Sequence, residues 1–212
     1  MARFILSKSK VLEQYEKLKK IADIVGYNFK ANKEVGKIIE KETKAPIVVS
    51  SFRGIEEIED KERIIYIIQG NTKEEIRSII AKGVKCFIVD NEQDLKNLLE
   101  SNEEINLFLR MKVREHTIYT GKYFVYGFHF KRIQELIPKI RKNKNIKELG
   151  IHFHRKTQNV GEWFLKEEFE DVLTEEVVNS IDVINIGGGI PVEYANSKPN
   201  INEILKQIAD FR

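Results

Sequence analysis

A single cysteine, Cys86, stands in 212 residues, so no intrachain disulfide can staple the fold and no thiolate cage can hold a metal. No run reaches the roughly 20 apolar residues that cross a bilayer as a helix. The opening MARFILSKSK meets charge too soon for a secretory signal. Charge of one sign is lacking as well. The 36 Lys and Arg residues face 33 Asp and Glu and alternate with them along helical stretches, which speaks against a nucleic-acid or membrane-surface partner. Linkers rich in Gly, Pro or Ser, low-complexity tracts and internal repeats are absent. These absences leave one domain over residues 1–212, with chain enough for a substantial core and the cytoplasm as its expected compartment.

What the chain does contain is a succession of short runs rich in Ile and Val, separated by amphipathic stretches. That pattern predicts parallel strands covered by helices. Strands are expected at Val25–Phe29, Ile47–Ser50, Ile64–Gln69, Cys86–Asp90, Ile105–Met111, Leu149–His154 and Val183–Ile186, after an opening helix from about Lys8 to Ala22. Several helix ends are signed. Thr72 and Glu75 have capping-box spacing before the stripe of Ile76, Ile79 and Ile80, and Gly83 sits where a left-handed C-terminal residue is wanted. Asn91 opens the next helix, and Leu95, Leu98 and Leu99 keep helical spacing. Unbroken strand–helix alternation leaves an open doubly wound sheet or a β/α barrel. Seven strands are counted, and INEILKQIADFR reads as the helix after the seventh. Lys112 to Tyr126 reads as an irregular loop, in the position where such folds build sites.

Three strand ends carry residues with chemistry. In YNFKAN, Tyr27 to Asn32, a lysine follows the first strand. With its stem in a barrel mouth and its amine partly desolvated, Lys30 would be suited to form a Schiff base with an aldehyde; one solvated lysine among many is the plainer alternative. In GIHFHRKTQN, Gly150 to Asn159, His152 and His154 are two apart on a strand and point to one side. Together they could ligate a metal, or one could lie flat on an aromatic cofactor; paired surface histidines are the bland alternative. Arg155, Lys156 and Thr157 add cationic and hydroxyl donors for a phosphate. In INIGGGIPVEY, Ile184 to Tyr194, three consecutive glycines after an apolar strand offer backbone amides to a phosphate, or simply a permissive turn before Pro191. An aldehyde-bearing aromatic phosphate would satisfy all three ends at one mouth.

These segments resemble the ornithine/diaminopimelate/arginine decarboxylase family, the fold type III, alanine racemase-like pyridoxal-phosphate enzymes. YNFKAN is similar to that family's Y-x-x-K-A-N motif, HFHRKTQ to its H-x-H-x-G-S-Q segment, and NIGGG to its N-L-G-G-G loop. LRMKV, Leu109 to Val113, resembles its fifth-strand arginine segment, and KYFVYG, Lys122 to Gly127, the K-F-G element after it. The resemblance implies a TIM-type (β/α) barrel stopping after its seventh strand, with no C-terminal β domain. It implies pyridoxal 5'-phosphate as cofactor, with Lys30 bound to its aldehyde and His154 stacked on its ring. Thr157 would join the amides of Gly187, Gly188 and Gly189 on its phosphate, and Arg110 would lie near its phenolic oxygen. The implied reaction is decarboxylation of a basic amino acid or of diaminopimelate, with no metal.

There are departures from the family pattern. Ile47 takes the place of an aspartate in the second strand, and Lys156-Thr157 that of Gly-Ser. The family's eighth-strand E-x-G-R motif and its β domain have no counterpart here, so the chain by itself is expected to be inactive. A homodimer or a separate chain carrying the C-terminal half is the expected partner. Two other readings are weighed. One is a single-domain pyridoxal-phosphate homeostasis protein without turnover, which suits the length but not the triple glycine or the lysine motif. The other is a metal-dependent barrel hydrolase using His152 and His154, which lacks a further ligand set at strand ends.

Overall fold

The computed structural model describes residues 5–112, 126–154, 160–161 and 163–212. Helix α1 (Lys8–Lys19) leads, capped by Ser7, and strand and helix then alternate: β1 (Tyr27–Asn28), α2 (Lys33–Glu42), β2 (Ile47–Val49), α3 (Phe52–Glu57), β3 (Ile64–Ile67), α4 (Lys73–Ala81), β4 (Cys86–Val89), α5 (Glu92–Leu99), β5 (Ile105–Arg110). The loop expected from Lys112 to Tyr126 falls mostly outside the described residues; beyond it come α6 (Phe130–Ile140), β6 (Ile146–His152), the short α7 (Leu165–Glu170) and α8 (Glu175–Val178), β7 (Val183–Asn185) and α9 (Ile201–Phe211). All seven strands pair in parallel in chain order, β1 to β7. They curl as an incomplete TIM-type barrel, and among the described residues no ladder joins β7 back to β1.

The local signals act as the sequence predicts. The Thr72–Glu75 capping box forms in full, Asn91 caps α5 through the Asp94 amide, and Gly83 takes φ +96° after α4. Strand side chains bury on the sheet face or, in β4 and β5, on both faces. Helices lay their apolar stripes over the outside: Ile76 and Ile79 of α4, Leu95 and Leu98 of α5, and Ile133, Leu136, Ile137 and Ile140 of α6. Buried Asp94 accepts from the Gly70 amide at 3.0 Å, tying the end of β3 to α5. Among the described residues no helix is long and apolar enough to cross a membrane.

Two boundaries differ from expectation. β1 is two residues long, because an edge strand with one neighbour is held only as far as its ladder to β2 extends, Tyr27 to Ile47 and Asn28 to Val48. β6 begins earlier, at Ile146. Its polar start, Lys147 and Glu148, hides the strand in sequence, but pairing with β5 draws it in, Asn106 donating to the Glu148 carboxylate at 3.2 Å.

Candidate active site

Because the strands are parallel, their C-terminal ends open on one side of the sheet. At that level Arg110, His152 and Asn185 are register partners, one row across β5, β6 and β7. Which way the β6 end faces is fixed by Phe153. Its side chain is fully buried against Phe169, ring centroids 4.8 Å apart, and Phe169 packs in turn on Phe211 of α9 at 5.2 Å. With Phe153 turned outward to the helices, strand alternation turns His152 and His154 to the opposite face.

The glycine turn after β7 closes on this end of β6. The Gly188 amide donates to His154 Nδ1 at 3.3 Å, and the Gly187 amide to Asn185 Oδ1 at 2.9 Å. Gly187 has φ +67°, and a Cβ there would stand 2.3 Å from the Phe153 carbonyl oxygen, so only glycine fits. Gly189 is also left-handed, at φ +105°, and its amide has no partner among the described residues. A Cβ on Gly188, by contrast, would meet nothing closer than His154 Cε1 at 3.7 Å.

Lys30 follows β1 in a turn that its neighbours hold. Phe29 is buried, Ala31 donates its amide to the Asn28 carbonyl, the Tyr27 hydroxyl donates to the Asn32 carbonyl, and Asn32 caps α2 through the Glu34 and Val35 amides. Lys30 is the residue left to project. The partial desolvation expected of it is not found: Lys30 is exposed, β1 being an edge strand with no neighbour on its outer flank among the described residues.

The electrostatics converge on His154. Burial, then the guanidinium of Arg110, then the ammonium of Lys30 hold its imidazole below the ordinary histidine range. With Nδ1 accepting from Gly188, the neutral ring carries its proton on Nε2. His152 is 7% exposed, its Nδ1 has no partner among the described residues, and burial with Arg110 beside it pushes its pKa down to about 3. Arg110 is itself partly buried, which lowers its pKa against the opposing pull of Asp90 and Tyr126, and its guanidinium carbon lies 5.8 Å from the centre of the Tyr126 ring. Alongside, a cleft of about 520 Å³ is lined by Gln69, Gly70, Asp90, Asn91, Lys112, Tyr126 and Gly127, at the ends of β3, β4 and β5. That is ample for a small ligand.

The structure therefore brings together Lys30, Arg110, His154 and Gly187–Gly189 at one mouth. Thr157, with Arg155 and Lys156, lies outside the described residues. Sequence reading left His152 undecided and passed over Asn185; the row they make with Arg110 becomes visible only once strand register is known. No group of three His, Cys, Asp or Glu side chains that could hold a metal is present among the described residues.

Two cationic groups, a neutral imidazole and a glycine turn whose Gly189 amide is unengaged make a donor set that fits an aromatic aldehyde phosphate. The fold is that of an α/β protein of the TIM-barrel type, and comparison gives the family. The chain belongs to the pyridoxal-dependent decarboxylases, matching the family described as "Pyridoxal-dependent decarboxylase, pyridoxal binding domain" over residues 49–211. Its cofactor is pyridoxal 5'-phosphate.

Among solved structures it is similar to diaminopimelate decarboxylase from Helicobacter pylori complexed with L-lysine (TM-score 0.77, 16% identity, covering 97% of this chain and 58% of that one). It is similar also to lysine/ornithine decarboxylase from Vibrio vulnificus complexed with cadaverine (0.74, 21%, 96% and 57%) and to the arginine decarboxylase of Paramecium bursaria Chlorella virus (0.71, 18%, 96% and 58%). This chain thus spans less than two thirds of the length of each. No curated protein matches it by sequence.

Proposed function

We propose that residues 1–212 form one cofactor-binding barrel domain of a decarboxylase acting on a basic amino acid or diaminopimelate, with turnover requiring a completing segment. The observation that carries this reading is the contact between the segments that follow β6 and β7. The Gly188 amide on His154 Nδ1 seats an imidazole directly against a glycine turn, within electrostatic reach of Lys30 and Arg110.

In this reading Lys30 holds the aldehyde, and its exposed position leaves it free to exchange with an incoming amine. His154 lies against the pyridine ring, its orientation fixed through Nδ1. The Gly187–Gly189 turn, aided by Thr157, takes the phosphate, the unengaged Gly189 amide being its first donor. Arg110 offers positive charge to the phenolic oxygen. The cations of Lys30 and Arg110 stand around a neutral histidine, a grouping suited to an anionic ligand. Bound there, pyridoxal phosphate would supply the electron sink for the electron pair left on the α-carbon when carbon dioxide departs. The likeness to proteins crystallised with lysine, cadaverine or agmatine supports a basic amino acid as substrate.

The test is covalent labelling. Incubation with pyridoxal phosphate, borohydride reduction and peptide mass mapping are expected to mark the peptide carrying Lys30, and Lys30→Ala to lose both the mark and the visible absorbance change. Labelling that is undiminished in Lys30→Ala overturns the assignment.

A further inference from the structure

We infer that Tyr126 is a positioning residue for Arg110: its ring holds the guanidinium at the cofactor mouth and leaves the N–H donors of that group free for an anionic ligand. The inference rests on the proposed reading of Arg110 as the cation beside the phenolic oxygen of the cofactor, and adds the side chain that aims it.

The backbone brings the two together. Beyond β5 the chain returns to the end of that strand. The Phe128 amide donates to the Arg110 carbonyl at 2.8 Å, the Lys112 amide donates to the Phe128 carbonyl at 2.8 Å, and Met111 and Phe128 form a parallel bridge. Phe128 is buried and anchors the returning segment. Next to it stands Gly127 at φ +119°, where a Cβ would lie 2.5 Å from the Arg110 carbonyl oxygen and 3.2 Å from Arg110 Cγ. Only glycine permits that approach, and it delivers the preceding residue onto the Arg110 side chain. The centre of the Tyr126 ring lies 5.8 Å from the guanidinium carbon, within the range of cation–π attraction.

Packing does not explain this ring. Tyr126 is 62% exposed and belongs neither to the buried core nor to the partly buried apolar side chains packed against it. Among the described residues no hydrogen bond or ion pair holds the Arg110 guanidinium, and the contact that the structure gives it is the Tyr126 ring. The chemistry of that contact matters. A carboxylate in the same place would fix the cation by taking up its N–H donors and cancelling its charge. A ring face attracts the cation through its quadrupole and takes up no donor. An arginine held this way is oriented and still has its hydrogen bonds to give.

The test is a double-mutant cycle on the binding of pyridoxal 5'-phosphate, titrated by absorbance in wild type, Tyr126→Leu, Arg110→Ala and the double variant. Tyr126→Leu is expected to weaken binding about two- to fivefold, the size of an exposed cation–π contact, and to weaken it no further once Arg110 is replaced by alanine. Tyr126→Phe, which keeps the ring, should bind as wild type does. Tyr126→Glu, which can pair with the guanidinium, should bind more weakly than Tyr126→Leu. Because the side chain is exposed, melting temperatures are expected to stay unchanged; should Tyr126→Leu unfold, Tyr126→Phe against Tyr126→Glu carries the same comparison. The positioning role is overturned, with the cofactor site left standing, by no loss in Tyr126→Leu, by a loss that persists undiminished without Arg110, by an equal loss in Tyr126→Phe, or by wild-type affinity in Tyr126→Glu. Wild-type affinity in Arg110→Ala overturns the role of Arg110 and this inference with it. Wild-type chain that binds no pyridoxal phosphate overturns the proposed site as a whole.

Discussion

The imidazole of His152 carries an energetic signature that can be measured without any ligand. Burial first, then Arg110 and His154, depress its pKa from the ordinary 6.5 to about 3, while Asn185 pulls the other way. In the unfolded chain the ring takes up a proton below about pH 6.5; in the folded chain it stays neutral. Between those values the unfolded state binds more protons, so folding stability falls as pH falls, by about 1.4 kcal/mol per pH unit for one fully differential proton. Above pH 6.5 the contribution is complete. Denaturant titrations at pH 7, 6 and 5, a window above most carboxylate titration, should show a shallower acid loss in His152→Gln than in wild type. His154, also depressed, adds a slope of the same sign in both proteins. Parallel slopes in the two proteins would contradict the buried neutral ring. The glycines divide in a second way. Gly187→Ala is expected to lower stability by on the order of 2 kcal/mol, because a left-handed backbone and the Phe153 carbonyl both oppose a Cβ. Gly188→Val is expected to weaken pyridoxal phosphate binding more than it lowers the melting temperature, because the backbone there accepts a side chain and the phosphate does not.

Helix α2 is set on β1 by one close approach. A Cβ at Gly36 would lie 2.4 Å from Cδ2 of Phe29, whose ring is buried immediately before Lys30. Gly36→Ala is therefore expected to destabilise the fold by about 1–3 kcal/mol and, by displacing Phe29, to slow borohydride-trappable labelling at Lys30. Thermal melts with labelling rates check both, and a normal melt with normal labelling would mean that the helix shifts freely. Elements whose signals are local were legible in sequence. The Thr72–Glu75 box, the Asn91 cap and the Gly83 C-terminus need only neighbours along the chain, and all three formed as expected. The start of β6 was hidden because Lys147 and Glu148 look like surface and become strand only through β5. The brief helices α7 and α8, six and four residues long, are too short to show a period. For the site, Lys30, His154 and the glycines were legible as motif residues, whereas the row Arg110–His152–Asn185 depends on register between distant segments. The exposure of Lys30 was likewise invisible, since it follows from where β1 lies in the sheet.

For the whole molecule, the decisive feature is that the sheet has two edges. Among the described residues β1 is paired only with β2 and β7 only with β6, while a closed barrel pairs every strand on both sides. Unpaired strand edges are sites of association, and these two flank the mouth that contains Lys30 and the glycine turn. Something that lies between them would cover the outer flank of β1, desolvate Lys30 and add side chains to the cofactor mouth. In the reading proposed above, the occupant is the completing segment that turnover requires. Two results are expected. In sedimentation velocity the 212-residue chain should associate with concentration, either with itself or with a separately expressed C-terminal half of a relative. Assays of lysine, ornithine, arginine and diaminopimelate should give little carbon dioxide from the chain alone, and more once such a segment is supplied. If the gap governs the chemistry, the added segment should also reduce hydrogen exchange at β1 and β7 while leaving β3 to β5 as they were. A chain that sediments as a monomer and turns over substrate robustly would show instead that an open seven-strand sheet can hold the cofactor and its reaction unaided.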